Sequence, residues 1–118
     1  MTIKKMTEVP KAVVGAGEKT WIQVLIGPDE GPHFAMRRFT IEPGGFMPYH
    51  TNAVEHEQLV LRGEAEVVCA GEVLRVKKDD VTLIPAGEPH SYRCVGDEPF
   101  EFLCMVPNDP DVIELVDG

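Results

Sequence analysis

The sequence predicts an all-β fold closed into a single barrel-like domain. Three observations carry that prediction. Short runs rich in β-branched and aromatic residues recur along the chain, turn signals separate them about every eight to twelve residues, and no stretch sustains a helical period. A chain of 118 residues supports one core, and 43% hydrophobic with 26% charged residues is the composition of a folded globular chain.

The first twenty residues, 1–20, are polar and weakly patterned and read as an N-terminal arm, lying over the barrel or pairing with a partner subunit. Trp21 to Ile26 (WIQVLI) is the first strand, ended by Gly27-Pro28-Asp29. Ala35 to Glu42 is the next, with Arg37, Phe39 and Ile41 on one face and Met36, Arg38 and Thr40 on the other. Pro43-Gly44-Gly45 predicts a turn. Glu57 to Leu61 and Ala65 to Cys69 pair across Arg62-Gly63-Glu64, and Val73 to Val76 returns after Ala70-Gly71-Glu72. Val81 to Ile84, His90 to Val95 and Phe100 to Val106 complete the barrel, residues 21–107. Pro107 and Pro110 then stop regular structure and leave a C-terminal tail, 108–118.

With 11 basic against 20 acidic residues, the formal charge of −9 opposes nucleic acid and anionic membrane as partners. No apolar run has the length of a membrane span, and the first ten residues lack the apolar core of a signal peptide, so the expected location is cytoplasmic. The 3 cysteines form no CxxC pair and read as reduced, buried thiols.

Of 4 histidines, His50 and His56 lie six positions apart, and His90 follows the turn Pro85-Ala86-Gly87-Glu88-Pro89. Imidazoles gathered from separate strand ends are a common way for a small β-fold to hold a divalent transition ion. Period-2 arithmetic puts His56 with Gln58 and Val60, His90 with Tyr92 and Cys94, and Phe102 with Cys104 and Val106. The inward choice that joins His56, Gln58, His90, Tyr92, Phe102 and Cys104 sends Glu57, Arg93 and Glu101 to solvent, which avoids burying unpaired charge. Leu59, Leu61, Leu103 and Met105 then form an apolar outer face that a second copy would cover, predicting a homodimer.

The spacing resembles a small single-domain cupin. The family's first motif appears as Gly44, five residues, His50-Thr51-Asn52, three residues, His56, six residues, Gly63. Its second appears as Asp79, five residues, Pro85-Ala86-Gly87-Glu88-Pro89-His90, with Cys94 where the family has Asn. Glu55-His56-Glu57 and the ending Phe102 to Pro107 are similar to a subgroup that binds its metal with four histidines. The resemblance implies a double-stranded β-helix (a jelly-roll barrel) holding iron, manganese, zinc, nickel or copper on His50, His56 and His90.

Asn52 stands where the subgroup's remaining histidine would be. It reads as a weak fourth ligand, as a neighbour of a three-histidine site completed by water, or as the mark of a site that has lost its metal. Tyr92 is the expected proton donor, with Gln58 a donor toward water on the ion. Met36, Arg38, Phe46, Phe102 and Cys104 are expected to shape the substrate pocket, with Met47 at its entrance and Arg38 holding an acidic substrate. His33, outside both motifs, reads as a surface or rim residue. The resemblance implies an oxidoreductase of dioxygenase type acting on a small organic molecule. The alternatives are a metal-dependent isomerase or lyase, and a non-catalytic module that binds a small ligand or metal.

Overall fold

The computed structural model describes residues 1–117. After a single 3-10 turn at Met6–Glu8, ten strands form one continuous curled sheet: β1 (Ala12–Val13), β2 (Glu18–Ile26), β3 (Phe34–Asn52), β4 (His56–Arg62), β5 (Glu64–Cys69), β6 (Glu72–Lys77), β7 (Val81–Ile84), β8 (His90–Val95), β9 (Phe100–Pro107) and β10 (Ile113–Leu115). The all-β jelly-roll expectation holds. No helix among the described residues is long and apolar enough to cross a membrane.

β3 organises the sheet. Its first part, Phe34 to Ile41, lies between β2 and β9; its second, Phe46 to Asn52, lies between β8 and β10. β9 continues to β4 and β7, and β8 to β5 and β6. The sheet therefore folds into two halves joined through one strand. Their inner faces share a core in which Ile41, Ala65, Phe100 and Cys104 are essentially inaccessible to water. Phe39, Phe100, Phe102 and Tyr92 stack through that core with ring centroids 5.2 to 5.3 Å apart along the chain Phe39–Phe102–Tyr92 and Phe102–Phe100.

The turn expected at Pro43-Gly44-Gly45 is a bend inside β3. The step from Thr20 to Glu18 in β2 spans the step from Ile41 to Phe46 in β3, so the surplus residues bulge out of the ladder. Glycine permits this. Gly44 has φ +84, and a Cβ on Gly45 would stand 2.7 Å from the Glu18 carbonyl oxygen.

The N-terminal arm lies over the barrel, one of its two expected placements, and both it and the tail contribute strands that their weak patterning does not announce. Gln23 Nε2, on the outer face, donates to the carbonyls of Met6 at 3.0 Å and Val9 at 2.8 Å, while β1 pairs with β2. The tail, expected to lack regular structure beyond Pro107 and Pro110, returns as β10 along His50–Asn52. A prolyl stop ends β9, but it has no bearing on pairing a few residues later.

Alternation places His56, Gln58, His90, Tyr92, Phe102 and Cys104 inside, with Glu57 and Arg93 exposed. Glu101 departs from the expectation: it is 9% exposed and binds Arg38 Nη2 at 2.8 Å. Its partner removes the penalty that made solvent the cheaper choice. Leu59, Leu61, Leu103 and Met105 are half-buried within the single chain.

Candidate functional site

The inner mouth of the folded sheet collects the histidines. His50 and His90 face each other across the β3–β8 ladder, their ring centroids 4.3 Å apart. His56, at the start of β4 in the other half, stands 6.3 Å from His90. All three are at least 94% buried, between 1% and 6% exposed.

The outer nitrogens of these rings are spoken for. His50 Nδ1 lies 2.6 Å from the Pro48 carbonyl and His90 Nδ1 lies 2.9 Å from that of Glu88. A carbonyl only accepts, so each Nδ1 carries the proton and each Nε2 keeps a free lone pair. His56 Nδ1 meets Cys104 Sγ at 3.3 Å, and its Nε2 is buried with no hydrogen-bond partner. Burial, helped by the Arg37 guanidinium and opposed by Asp111, lowers the pKa of His56 to about 4. Burial likewise lowers that of His90 to about 4 against the stabilising Glu88 carbonyl, with His50 adding to the lowering. Both rings are neutral at pH 7, the form that binds metal.

These residues are of the kind that holds a divalent transition ion: three buried imidazoles, two with Nδ1 tied to a carbonyl and one with an orphaned Nε2. Asn52 is also buried at this mouth, its Oδ1 without a partner and its Nδ2 donating to Asp111 Oδ2 at 3.2 Å. Among the described residues, no group of three or more His, Cys, Asp or Glu side chains is placed to hold a metal ion as it stands, so binding one requires these side chains to draw together.

A cavity of about 200 Å³ opens beside them, lined by Val14, Ile22, Arg37, Phe39, Met47, His50, Asn52, His56, Gln58, Tyr92, Phe102, Cys104, Asp111 and Ile113. A wider groove over Gly63, Glu64, Arg75 and Lys77 is open to solvent and holds none of the histidines. Gln58 crosses the cavity floor. Its Oε1 accepts from Thr82 Oγ1 at 2.9 Å and its Nε2 donates to the Tyr92 hydroxyl at 2.7 Å. Burial pushes the Tyr92 phenol far above its usual range, and the Gln58 bond only partly offsets this. The Cys104 thiol is also raised by burial, so it serves as a hydrogen-bonding post for His56 and Arg37 rather than as a nucleophile.

Three expected pocket residues lie elsewhere. Met36 and Arg38 point to the outer face of the sheet, Met36 beneath the N-terminal arm and Arg38 against Gln23 and Glu101. Phe46 is exposed. Arg37 and Phe39 take the inner positions instead. The reason is register: residues opposite each other in a ladder share a face, and Arg37 pairs with Cys104 and Phe39 with Phe102. Once Phe102 and Cys104 point inward, the parity of β3 follows. Arg37 stacks on Phe39, 5.2 Å from its centroid, and donates from Nη2 to Cys104 Sγ at 3.2 Å. His33 is exposed, away from the cavity. Asp111, which no periodic pattern marks, also reaches the site.

The comparisons agree with this architecture. A family model described as a cupin domain matches residues 37–106. The chain is 31% identical over 112 residues to the xanthan biosynthesis protein XanB of Xanthomonas campestris pv. campestris, covering 86% of this chain and 24% of that protein. It is 30% identical over 80 residues to 1-methylthio-D-xylulose 5-phosphate methylsulfurylase of Rhodospirillum rubrum, covering 68% of this chain and 51% of that protein. It thus spans only a quarter to a half of these relatives. Among solved structures, the polyketide cyclase RemF from Streptomyces resistomycificus superimposes with a TM-score of 0.88 at 27% identity, over 99% of this chain and 87% of that one. A cupin 2 domain-containing protein from Halorhodospira halophila gives 0.76 at 34% identity, over 82% of this chain and 70% of that one. With a family match over more than half its length, the two motifs and the folded sheet, this chain belongs to the cupin family.

Proposed function

We propose that the chain is a metal-dependent cupin enzyme acting on a small acidic organic molecule, with His50, His56 and His90 holding one divalent transition ion. The observation that carries this reading is the set of three buried imidazoles, above all the orphaned Nε2 of His56. A buried polar atom without a partner costs about 1–3 kcal/mol, and a bound cation removes that cost. Relative to the four-histidine subgroup that the motifs resemble, this is a three-histidine variant, with Asn52 in the remaining position.

When bound, the ion supplies a Lewis acid that polarises a carbonyl or enediolate oxygen. The chain's own side chains do the rest. Arg38, Arg62, Arg75 and Arg93 each pair with a glutamate, whereas Arg37 makes no such pair among the described residues and donates only to the Cys104 sulfur. Its guanidinium is therefore the anchor for a substrate carboxylate. Gln58 donates to the Tyr92 oxygen and burial keeps that phenol protonated, so Tyr92 presents its O–H as a hydrogen-bond donor to a substrate oxygen without giving up the proton. Phe39, Met47 and Phe102 exclude water around the bound molecule. This division of labour suits an isomerase, lyase or cyclase type of reaction, and the likeness to a polyketide cyclase supports it.

An oxidoreductase of dioxygenase type is the second reading. Its support is that three protein donors leave room on one ion for both substrate and O₂. Turnover with zinc under nitrogen favours the first reading; oxygen uptake only with iron(II) or manganese favours the second. Ligand binding without turnover under either condition would leave a small-ligand module. Metal analysis of protein purified without chelator tests the common premise: about one ion per chain is expected, and a chain that also refuses added zinc, manganese and iron(II) would end both readings. The proposal includes a homodimer, since Val81 and Leu83 stand exposed on β7, an outermost strand.

A further inference from the structure

Imidazole ligands bring no charge to a divalent cation, and the Arg37 guanidinium lines the same cavity. Such a site calls for an anionic donor, and Asn52 cannot supply one. The sheet delivers a carboxylate from an unexpected place. β10 pairs Ile113 with Asn52, Glu114 with Thr51 and Leu115 with His50, which lays the preceding residues over the mouth of the cavity. Asp111 is there held at both oxygens. Oδ1 accepts from the Ala53 amide at 2.8 Å and Oδ2 accepts from Asn52 Nδ2 at 3.2 Å.

Oδ2 also stands 3.6 Å from His56 Nε2, the buried nitrogen that has no hydrogen-bond partner. That distance is too long for a hydrogen bond. It does fit two ligands of one ion that keeps a further position for substrate: equatorial donors each about 2.1 Å from a five-coordinate centre stand roughly 3.6 Å apart. Asn52 turns its amide nitrogen toward the carboxylate, as it must to avoid placing two oxygens together. Its own Oδ1 is unpartnered, but a neutral amide is a poorer donor to a divalent cation than a carboxylate.

The geometry points to Asp111 as the fourth protein donor of the metal site, carried in by the C-terminal segment, with Asn52 positioning that carboxylate. The inference rests on the three-imidazole reading and extends it. The ligand set is then three imidazoles and one carboxylate, drawn from β3, β4, β8 and the segment leading into β10.

Zinc titrated calorimetrically into the wild-type chain, Asp111→Asn and His90→Ala separates the two readings, with circular dichroism checking that each variant keeps its β-spectrum. One zinc per wild-type chain is expected, with uptake lost in His90→Ala and weakened at least about 100-fold in Asp111→Asn, the upper end of what loss of a mere outer hydrogen-bond partner costs. If Asp111→Asn binds within tenfold of wild type while His90→Ala does not bind, Asp111 is no ligand and the three-imidazole site stands. If the wild-type chain takes up no zinc, both ideas fall. For an intermediate loss, or a variant that misfolds, the crystal structure of the zinc-loaded wild-type chain decides. An Asp111 oxygen about 2.0–2.2 Å from zinc is expected; a carboxylate still bound only to Ala53 and Asn52 overturns the inference.

Discussion

Arg37 and Arg38 are neighbours in the chain and opposites in surroundings. Arg38 gives its charge to Glu101 at 2.8 Å on the outer face, while Arg37 lies inside against Phe39 and the Cys104 sulfur. Arg37→Gln is expected to raise KM for an acidic substrate at least tenfold while leaving zinc uptake unchanged. Arg38→Ala should do the reverse, sparing KM and lowering the stability read by urea unfolding by about 3 kcal/mol, because it leaves the Glu101 charge buried and alone.

The metal-free chain should lose stability as pH falls. His56 and His90 each titrate near 4 in the folded chain against a usual value of 6.5, so between those values the unfolded state binds protons that the folded state does not. The stabilisation is complete above pH 6.5 and lost as pH falls through about 4, on the order of 2–3 kcal/mol per histidine. Urea midpoints at pH 7 and pH 4.5 measure it, and His90→Gln should flatten the difference.

Tyr92→Phe removes a hydroxyl but not a ring. Zinc affinity should be unchanged and kcat should fall by about 10²- to 10³-fold, the range for loss of one positioned hydrogen-bond donor to a developing oxyanion. A kcat within threefold of wild type would remove Tyr92 from the chemistry. Gln58→Leu should lower kcat less, since Gln58 orients the phenol without itself donating to the substrate oxygen.

Residue 52 offers a rescue experiment. In an Asp111→Asn background, Asn52→His should restore zinc affinity at least tenfold, because an imidazole there would replace the lost donor. Calorimetry reads the result directly. Unchanged affinity would mean that the side chain at 52 does not approach the ion.

Much of this architecture is legible in the chain. Turn residues punctuate strands of ordinary length, and the intervals Gly44–His50–His56–Gly63 and Pro85–His90 point to one shared site because each histidine also falls on the apolar face of its strand. What stays hidden is register. Both faces of the strand from Ala35 to Glu42 carry an arginine and an apolar residue, so local alternation cannot choose between Arg37 and Arg38. The pairing with Cys104 and Phe102, more than sixty residues away, makes that choice. Glu101 is hidden for the same reason, since its burial depends on Arg38. The bend at Gly44 and Gly45 carries a local signal that means a turn in isolation and a bulge when sheets flank it on both sides. Asp111 has no local signal at all: its place follows from a three-residue pairing to a distant strand.

The single strand that serves both halves of the sheet makes the distance from Arg37 to His50 a matter of covalent length. One residue added between Gly45 and His50 would swing that imidazole to the opposite face, so this segment tolerates exchange of side chains but not of spacing. The C-terminal segment is gauged against the same ruler: β10 takes its register from His50–Asn52, so a residue added between Asp111 and Ile113 would carry that carboxylate off the cavity mouth.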